Sequence, residues 1–373
     1  MMHFIKTYSW LLVPIFLLVS SNNVKVFDKT NQYAISINHP AEKTPVNVLI
    51  YQVLDKNGLP IEYYMDVPSV ICLEKVCKVI PVRIFWNNLG EYQKYKLEKG
   101  ATLEKYKADL FETQDYIKLQ NILSDTNSPF KEVYYDEVLT VPKLEEDVDA
   151  VSGATALELD EEDTVPGAAL GCYTLWHWAN GEIVQKIKNL TGKVLSENQL
   201  AKALIDKNRG YYFIGINELE NRKDFRSQFV NIIIGEVVKE ELLLKSTFNY
   251  LEKLPIEVYF KATKKIFIKG EKAQKLAVIR SLQYSKYKPQ KSYLDELSNQ
   301  MSSLKSFQEV SIFLDLMQSK NQNSKIVIKN SMPLLDADFI ISRRVYWFLK
   351  GQEISNPQKE KLQQFYQKYK NSL

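Results

Sequence analysis

The hydrophobic pattern of the chain changes near residue 181. Before that point, apolar residues rich in Val, Ile and Tyr come in short runs separated by turn residues, which is typical of strands. The runs predict strands at residues 47–55, 60–67, 70–72, 76–85, 92–97 and 132–141. An Asn-Gly pair lies between the first two runs and indicates a hairpin turn. The expected arrangement is an antiparallel meander.

One helix interrupts this strand-rich region. Thr113 is a suitable N-cap, and apolar residues recur on one face of residues 114–123. Residues 22–43 are polar, and no order is expected at the start of that stretch. Residues 22–181 are therefore predicted to form an α+β domain, an antiparallel sheet with a helix.

From residue 182 onward, apolar residues recur at helical spacing. The clearest later helical blocks are at about 256–268, 273–282, 293–304, 307–317, 335–348 and 358–369. Paired helices of this length suggest HEAT-like hairpins, and an irregular helical domain is the alternative. Residues 182–373 are thus predicted to form an all-α, α-solenoid-like domain.

Charge divides the chain at the same place. Residues 1–182 contain 16 Lys and Arg against 26 Asp and Glu, a balance of −10, whereas residues 183–373 contain 33 against 19, a balance of +14. This asymmetry supports two domains. A basic half can indicate nucleic acid, but a protein exported by an N-terminal signal, which residues 1–21 resemble, rarely meets it. A solvated helical surface that faces an anionic membrane or the acidic half is favoured, with no nucleic-acid partner.

Residues 1–21 have the features of a secretory signal. Lys6 provides positive charge, residues 8–19 are mostly apolar, and the small residues before Asn22 form a plausible cleavage site. Twelve apolar residues are too few for a comfortable membrane span, although a retained N-terminal anchor is an alternative. The predicted location is extracytoplasmic, either periplasmic or membrane-associated.

Residues 149–155 read Asp-Ala-Val-Ser-Gly-Ala-Thr. The three small residues before the threonine let the backbone approach a bulky ligand, and Gly153 permits a turn that larger residues resist. The Thr155 hydroxyl can be esterified, and exposed N–H groups in such a loop suit a phosphate. The alternative is an ordinary Ser/Gly turn.

The heptapeptide resembles the flavinylation motif of the FMN-binding domain family, which includes covalent-flavin subunits of bacterial ion-pumping redox complexes. In that family a flavin transferase moves FMN from FAD onto the hydroxyl of the last motif residue, through a phosphoester. The resemblance implies that Thr155 is the FMN acceptor. It also implies that Ser152, Gly153 and Ala154 form the tight loop and that Asp149 is the recognition carboxylate.

The resemblance extends more loosely over residues 60–181 and departs at residues 156–163. These are acidic here, where family members usually continue into a helix of small and hydroxyl residues. It implies an exported flavoprotein that needs a flavin transferase and exchanges electrons with a redox partner protein, membrane-bound or soluble. No catalytic acid or base is identifiable, so an electron carrier is favoured over an enzyme with its own substrate. The alternative is a non-redox interaction protein that binds a partner through its helical half.

The chain contains three cysteines. Cys72 and Cys77 lie on either side of a predicted turn, and in an exported protein this spacing predicts a disulfide. A redox-active pair is the alternative, but the C-x-x-C form is absent. Cys172 remains unpaired and is expected to be a small buried residue, with contact to a flavin as the alternative.

Metal and haem sites are not predicted, because the sequence has no H-E-x-x-H, Cys cluster or C-x-x-C-H. The carboxylates of residues 145–163 lack the ligand spacing of an EF-hand, so a solvated acidic loop is favoured over a Ca²⁺ site. Tyr173, Trp176 and Trp178 could stack on a flavin ring or pack in a core, and core packing is favoured. Residues 165–181 are kept as a candidate pocket wall.

Overall fold

The computed structural model describes residues 29–71, 78–105, 108–139 and 162–373. Within them, five antiparallel strands form one sheet in sequential order, which confirms the predicted meander. The strands are β1 (Lys29–Ile37), β2 (Val46–Leu54), β3 (Pro60–Pro68), β4 (Pro81–Asn87) and β5 (Tyr92–Leu97).

One face of the sheet forms the core of this half. In β3, Tyr63, Met65 and Val67 are buried and alternate with more exposed residues, as a two-residue period requires. The predicted turn between β2 and β3 forms at Gly58, which has a φ of +75°. The Asp55 carboxylate stabilises that turn by accepting hydrogen bonds from the backbone N–H groups of Asn57 and Leu59, both at 2.8 Å.

Strand β1 lies in the polar stretch of residues 22–43, for which the sequence predicted no strand. The residues that point inward, Tyr33, Ile35 and Ile37, are partly or fully buried. The alternate residues Gln32, Ala34 and Ser36 are exposed, and they are small or polar, which conceals the inward alternation. Strand β1 pairs with β2 along its whole length, with Ile35 opposite Val48, and this pairing orders the stretch in spite of its polar composition.

The prediction of a strand at residues 132–141 is wrong. The chain forms a 3₁₀ turn at Pro129–Lys131 and then a short helix, α2 (Tyr135–Leu139). The Glu137 carboxylate accepts a hydrogen bond of 2.8 Å from the backbone N–H of Tyr134, as expected at a helix start. This local capping outweighs the strand preference of the Val-Tyr-Tyr run.

Helix α1 (Thr113–Ser124) forms where it was predicted, but Glu112 is its N-cap instead of Thr113. Glu112 and Asp115 make a reciprocal capping box. Helix α3 (Ala169–Asn180) is packed against the buried face of the sheet and contacts both α1 and α2. The indole N–H of Trp86 on β4 donates to the Ala179 carbonyl oxygen at 2.7 Å, which joins sheet and helix inside the core.

The rest of the chain is all-α, as predicted. Its helices are α4 (Ile183–Val194), α5 (Glu197–Leu204), α6 (Arg209–Asn221), α7 (Ser227–Val237), α8 (Leu244–Leu251), α9 (Ile256–Lys269), α10 (Lys272–Tyr284), α11 (Lys291–Ser298), α12 (Phe307–Lys320), α13 (Lys325–Ser331), α14 (Phe339–Lys350) and α15 (Asn356–Tyr369). None of the described helices is long and apolar enough to cross a membrane.

These helices form two layers. The even-numbered helices from α4 to α14 contact one another in succession, and the odd-numbered helices form a second row with contacts between α5, α7 and α9 and between α11 and α13. Odd-numbered helices begin at residues 197, 227, 256, 291, 325 and 356, so the repeat length is 29 to 35 residues. This is shorter than the roughly 40–47 residues of a HEAT repeat.

The sheet half and the helical half meet through α4 and the turn between β4 and β5. Ile183 and Ile187 of α4 pack into the core of the sheet half, whereas Leu89 of the turn packs with the helical half. The Thr191 hydroxyl donates to the Asn88 carbonyl oxygen at 2.8 Å, and the Tyr211 hydroxyl donates to the Asn88 side-chain oxygen at 2.9 Å. Hydrogen bonds and apolar packing therefore both connect the two halves.

Candidate functional site around helix α3

The predicted flavinylation segment lies outside the described residues. Asp149, Ser152, Gly153, Ala154 and Thr155 all fall between residues 140 and 161. The structure describes the chain up to the end of α2, before this segment, and again from residue 162, after it.

Both flanks are held by α3. Before the segment, the rings of Phe130 and Tyr135 meet the Tyr173 ring edge-on, with centroids 5.8 and 6.0 Å away. After the segment, Val165 is fully buried, and its N–H donates to the Cys172 sulfur at 3.4 Å. Helix α3 is thus a common support for the chain on either side of residues 140–161.

Cys172 is a free, buried thiol on α3. Burial raises its pKa to about 12, so the group stays protonated and unreactive at neutral pH. Cys72 and Cys77 lie outside the described residues, and their disulfide stays a prediction. Peptide mapping of the unreduced protein should recover them as a linked pair, and alkylation of both thiols would contradict the prediction.

His39 belongs to the same core, although its sequence context gave no sign of this. Its Nε2 donates to the Thr174 carbonyl oxygen at 3.0 Å, and its Nδ1 accepts from the Ala41 N–H at 3.1 Å. Both ring nitrogens are therefore satisfied by the neutral imidazole. The ring also lies 4.6 Å from the ring of Trp178, and burial lowers the His39 pKa to about 4.

His177 is the second histidine of this core, with its ring centroid 5.9 Å from that of His39. Burial and the neighbouring His39 lower its pKa to about 4, against the opposing effect of a hydrogen bond with the Phe130 backbone. The buried Nε2 of His177 and the indole N–H of Trp178 have no hydrogen-bond partner among the described residues.

The aromatic residues of α3 divide into two groups. Tyr173 and Trp178 are almost fully buried and serve as core residues. Trp176 is 3% exposed, but together with half-buried His177 it lines a cavity of about 490 Å³. Residues 165–181 therefore act mainly as core and contribute three side chains to a cavity wall, those of Trp176, His177 and Asn180.

The cavity brings together residues that no sequence motif connects. Lys131 precedes α2, Lys188 is on α4, and Leu89 lies in the turn after β4, yet all three line the same space. The sequence has no signal for this arrangement, because the lining residues are isolated and 42 or more positions separate these three. Only the packing of α3 and α4 against the sheet brings them together.

The described residues contain no group of three or more His, Cys, Asp or Glu side chains positioned to hold a metal ion. Comparison with protein-family models, with curated proteins and with solved structures gave no match to this chain.

Proposed function

We propose that this protein is an exported flavoprotein with FMN attached to Thr155 through a phosphoester, and that it transfers electrons outside the cytoplasm. The observation that carries the proposal is the heptapeptide at residues 149–155. The small residues 152–154 give a bulky ligand access to the backbone, and the hydroxyl that follows is the one group in the heptapeptide that both fits the motif's acceptor position and can form the ester.

The attachment reaction is balanced with FAD as the donor. The Thr155 oxygen forms a bond to the phosphorus of the FMN half, the pyrophosphate bond of FAD breaks, AMP leaves, and the hydroxyl proton passes to solvent. A flavin transferase must catalyse this step, and Asp149 is the carboxylate that the transferase would recognise. Once attached, the flavin supplies one- or two-electron transfer, while the protein positions it for a redox partner.

The structure supports this proposal through the flanks of the segment. Tyr135 and Val165 are both buried against α3, so the chain is packed into the core of the sheet half on either side of residues 140–161. A functional segment carried on a rigid scaffold is a common arrangement. Covalent attachment suits a protein outside the cytoplasm, where a lost cofactor is hard to replace.

The test is flavin fluorescence in a denaturing gel after co-expression with a flavin transferase. Thr155→Val, nearly isosteric, should abolish the signal because it removes the oxygen, and Thr155→Ser should keep part of it. Thr164→Val is the matched control and should fluoresce like wild type. Asp149→Ala should weaken labelling. A fluorescent Thr155→Val protein would show that the acceptor is another residue.

A second candidate is a non-redox protein that binds a partner through its helical half. The observation in its favour is the two-layer helical array, which exposes long rows of side chains and carries a net charge of +14 over residues 183–373. The colour of the purified protein distinguishes the two candidate functions, because a bound flavin makes the protein yellow. If wild type stays dark beside an active transferase, the flavoprotein proposal fails and the interaction role replaces it.

A further inference from the structure

The cavity of about 490 Å³ lies where the sheet half meets the helical half. Its volume is within the range of small-molecule sites, which occur preferentially at such junctions. Leu89 and Gly90 in the turn after β4 line it together with Val184 on α4, which Gly90 contacts, and with Trp176 and His177 on α3. The lining therefore combines apolar and aromatic side chains with polar ones.

The walls are held in place before any ligand binds. Gly90 has a φ of +77°, and a Cβ atom there would lie 2.8 Å from the Val184 carbonyl oxygen, so the turn presses directly on α4. Two hydrogen bonds to Asn88, from Thr191 and Tyr211, fix the other side of the turn. Because the walls are already ordered, a ligand would not have to order them.

The charges around this cavity favour an anion. Lys131 and Lys188 both line it, and neither takes part in an ion pair among the described residues. The carboxylate of Glu91 also lines it and accepts a hydrogen bond of 2.7 Å from the Asn87 side chain. His177 is uncharged at neutral pH, so it neither attracts nor repels a charged ligand. The balance is two cations against one anion.

We propose that this cavity binds a planar aromatic carboxylate. Its ring would lie against the apolar part of the lining, formed by Leu89, Val184 and the small exposed edge of Trp176, and its carboxylate would be held by Lys131 and Lys188. An apolar cavity with a few convergent charged groups is the usual form of such a site. Ammonium groups bind carboxylates through charge-assisted hydrogen bonds, which are the stronger kind. The proposal does not depend on the flavin at Thr155.

Isothermal titration calorimetry of the full chain, expressed without a flavin transferase, tests the ligand class. The probe 2-naphthoate should bind saturably at one site. Neutral 2-naphthol lacks the charge and hexanoate lacks the ring, so each should bind at least about tenfold more weakly. Absence of saturable binding by 2-naphthoate, or equal affinity for 2-naphthol, would overturn the proposal.

Variants locate the site. Lys188→Gln should weaken 2-naphthoate binding about tenfold, whereas Lys193→Gln, an exposed residue of the same helix, should not change it. Thr126→Trp should fill the cavity from its exposed rim, with Asn127→Trp as the control outside the lining. Unchanged binding in both Lys188→Gln and Thr126→Trp would overturn the proposal. Because the chain is unmodified in these experiments, neither result bears on Thr155.

Discussion

The two halves of the molecule are stabilised in different ways. In the sheet half, contacts from distant parts of the chain converge on α3: Trp86 donates to Ala179, His39 donates to Thr174, and Asn180 donates to Leu123. In the helical half, polar contacts recur one repeat apart. Examples are Lys253 with Glu220, Tyr287 with Leu254, Lys264 with Glu296, and Asn330 with Ser298.

This difference has consequences for stability and function. A core built around one central helix should unfold as a unit, because few of its contacts can be lost separately. An array whose helices contact only near neighbours should open locally. The proposed flavinylation segment is flanked by the first kind of structure, which would suit a cofactor that must be held in one position. The helical array would suit a protein that binds a partner over an extended surface.

The largest expected effect follows removal of a side chain that joins sheet and α3. Trp86→Ala should destabilise the protein by about 3–5 kcal/mol, since a fully buried indole and its hydrogen bond are lost. Urea unfolding followed by circular dichroism measures this effect. Trp347→Ala is the matched control because Trp347 is 46% exposed, and it should cost less than about 1 kcal/mol. Equal costs would contradict the central role of α3.

The next largest effect is expected at acidic pH, where the free energy of unfolding of the sheet half should decrease. The pKa values of His39 and His177 fall from 6.5 in the unfolded chain to about 4 in the folded protein, so the unfolded chain binds more protons between these values. Stability should therefore fall as the pH drops below 6.5, by up to about 3 kcal/mol for each ring. Urea unfolding at a series of pH values measures the slope.

Carboxylates affect a different pH range. Asp115 and Glu182 have lowered pKa values, held down first by hydrogen bonds from Lys105 and Lys186, so their stabilisation is lost only at more acidic pH, as the pH falls through those pKa values. A decrease in the free energy of unfolding that begins between about pH 6.5 and pH 5 is therefore caused by protonation of the histidines. His177→Gln should reduce it. A free energy of unfolding that stays flat over that range would contradict the burial of both rings.

A smaller and more local effect is expected in the helical half. Arg209 on α6 pairs with Glu240 and with the nearly buried Glu236 at the end of α7. Arg209→Ala should cost about 2 kcal/mol because Glu236 loses a charged partner in a mostly buried place. Hydrogen exchange should increase around α6 to α8 and stay unchanged in α12 to α14. Lys361→Ala, which breaks only an exposed pair, should change neither.

The sequence predicted the classes of both halves because their periodicities are distinct. It missed β1, whose outward residues are polar enough to hide the inward alternation of Tyr33 and Ile35. It placed a strand where Glu137 caps a short helix, because side-chain capping is a weak signal beside a run of strand-forming residues. It could not predict the cavity, since Lys131 and Lys188 meet only through the packing of α3 and α4.

The intact mass of the purified protein most directly tests the central claim, which is covalent attachment of FMN at Thr155. With a flavin transferase present, the mass should correspond to a chain that begins near Asn22 and carries one FMN less one water. Without the transferase, or with Thr155→Val, the added mass should be absent. If the wild-type chain remains unmodified while the same transferase labels a known acceptor protein, the proposed flavin attachment is wrong.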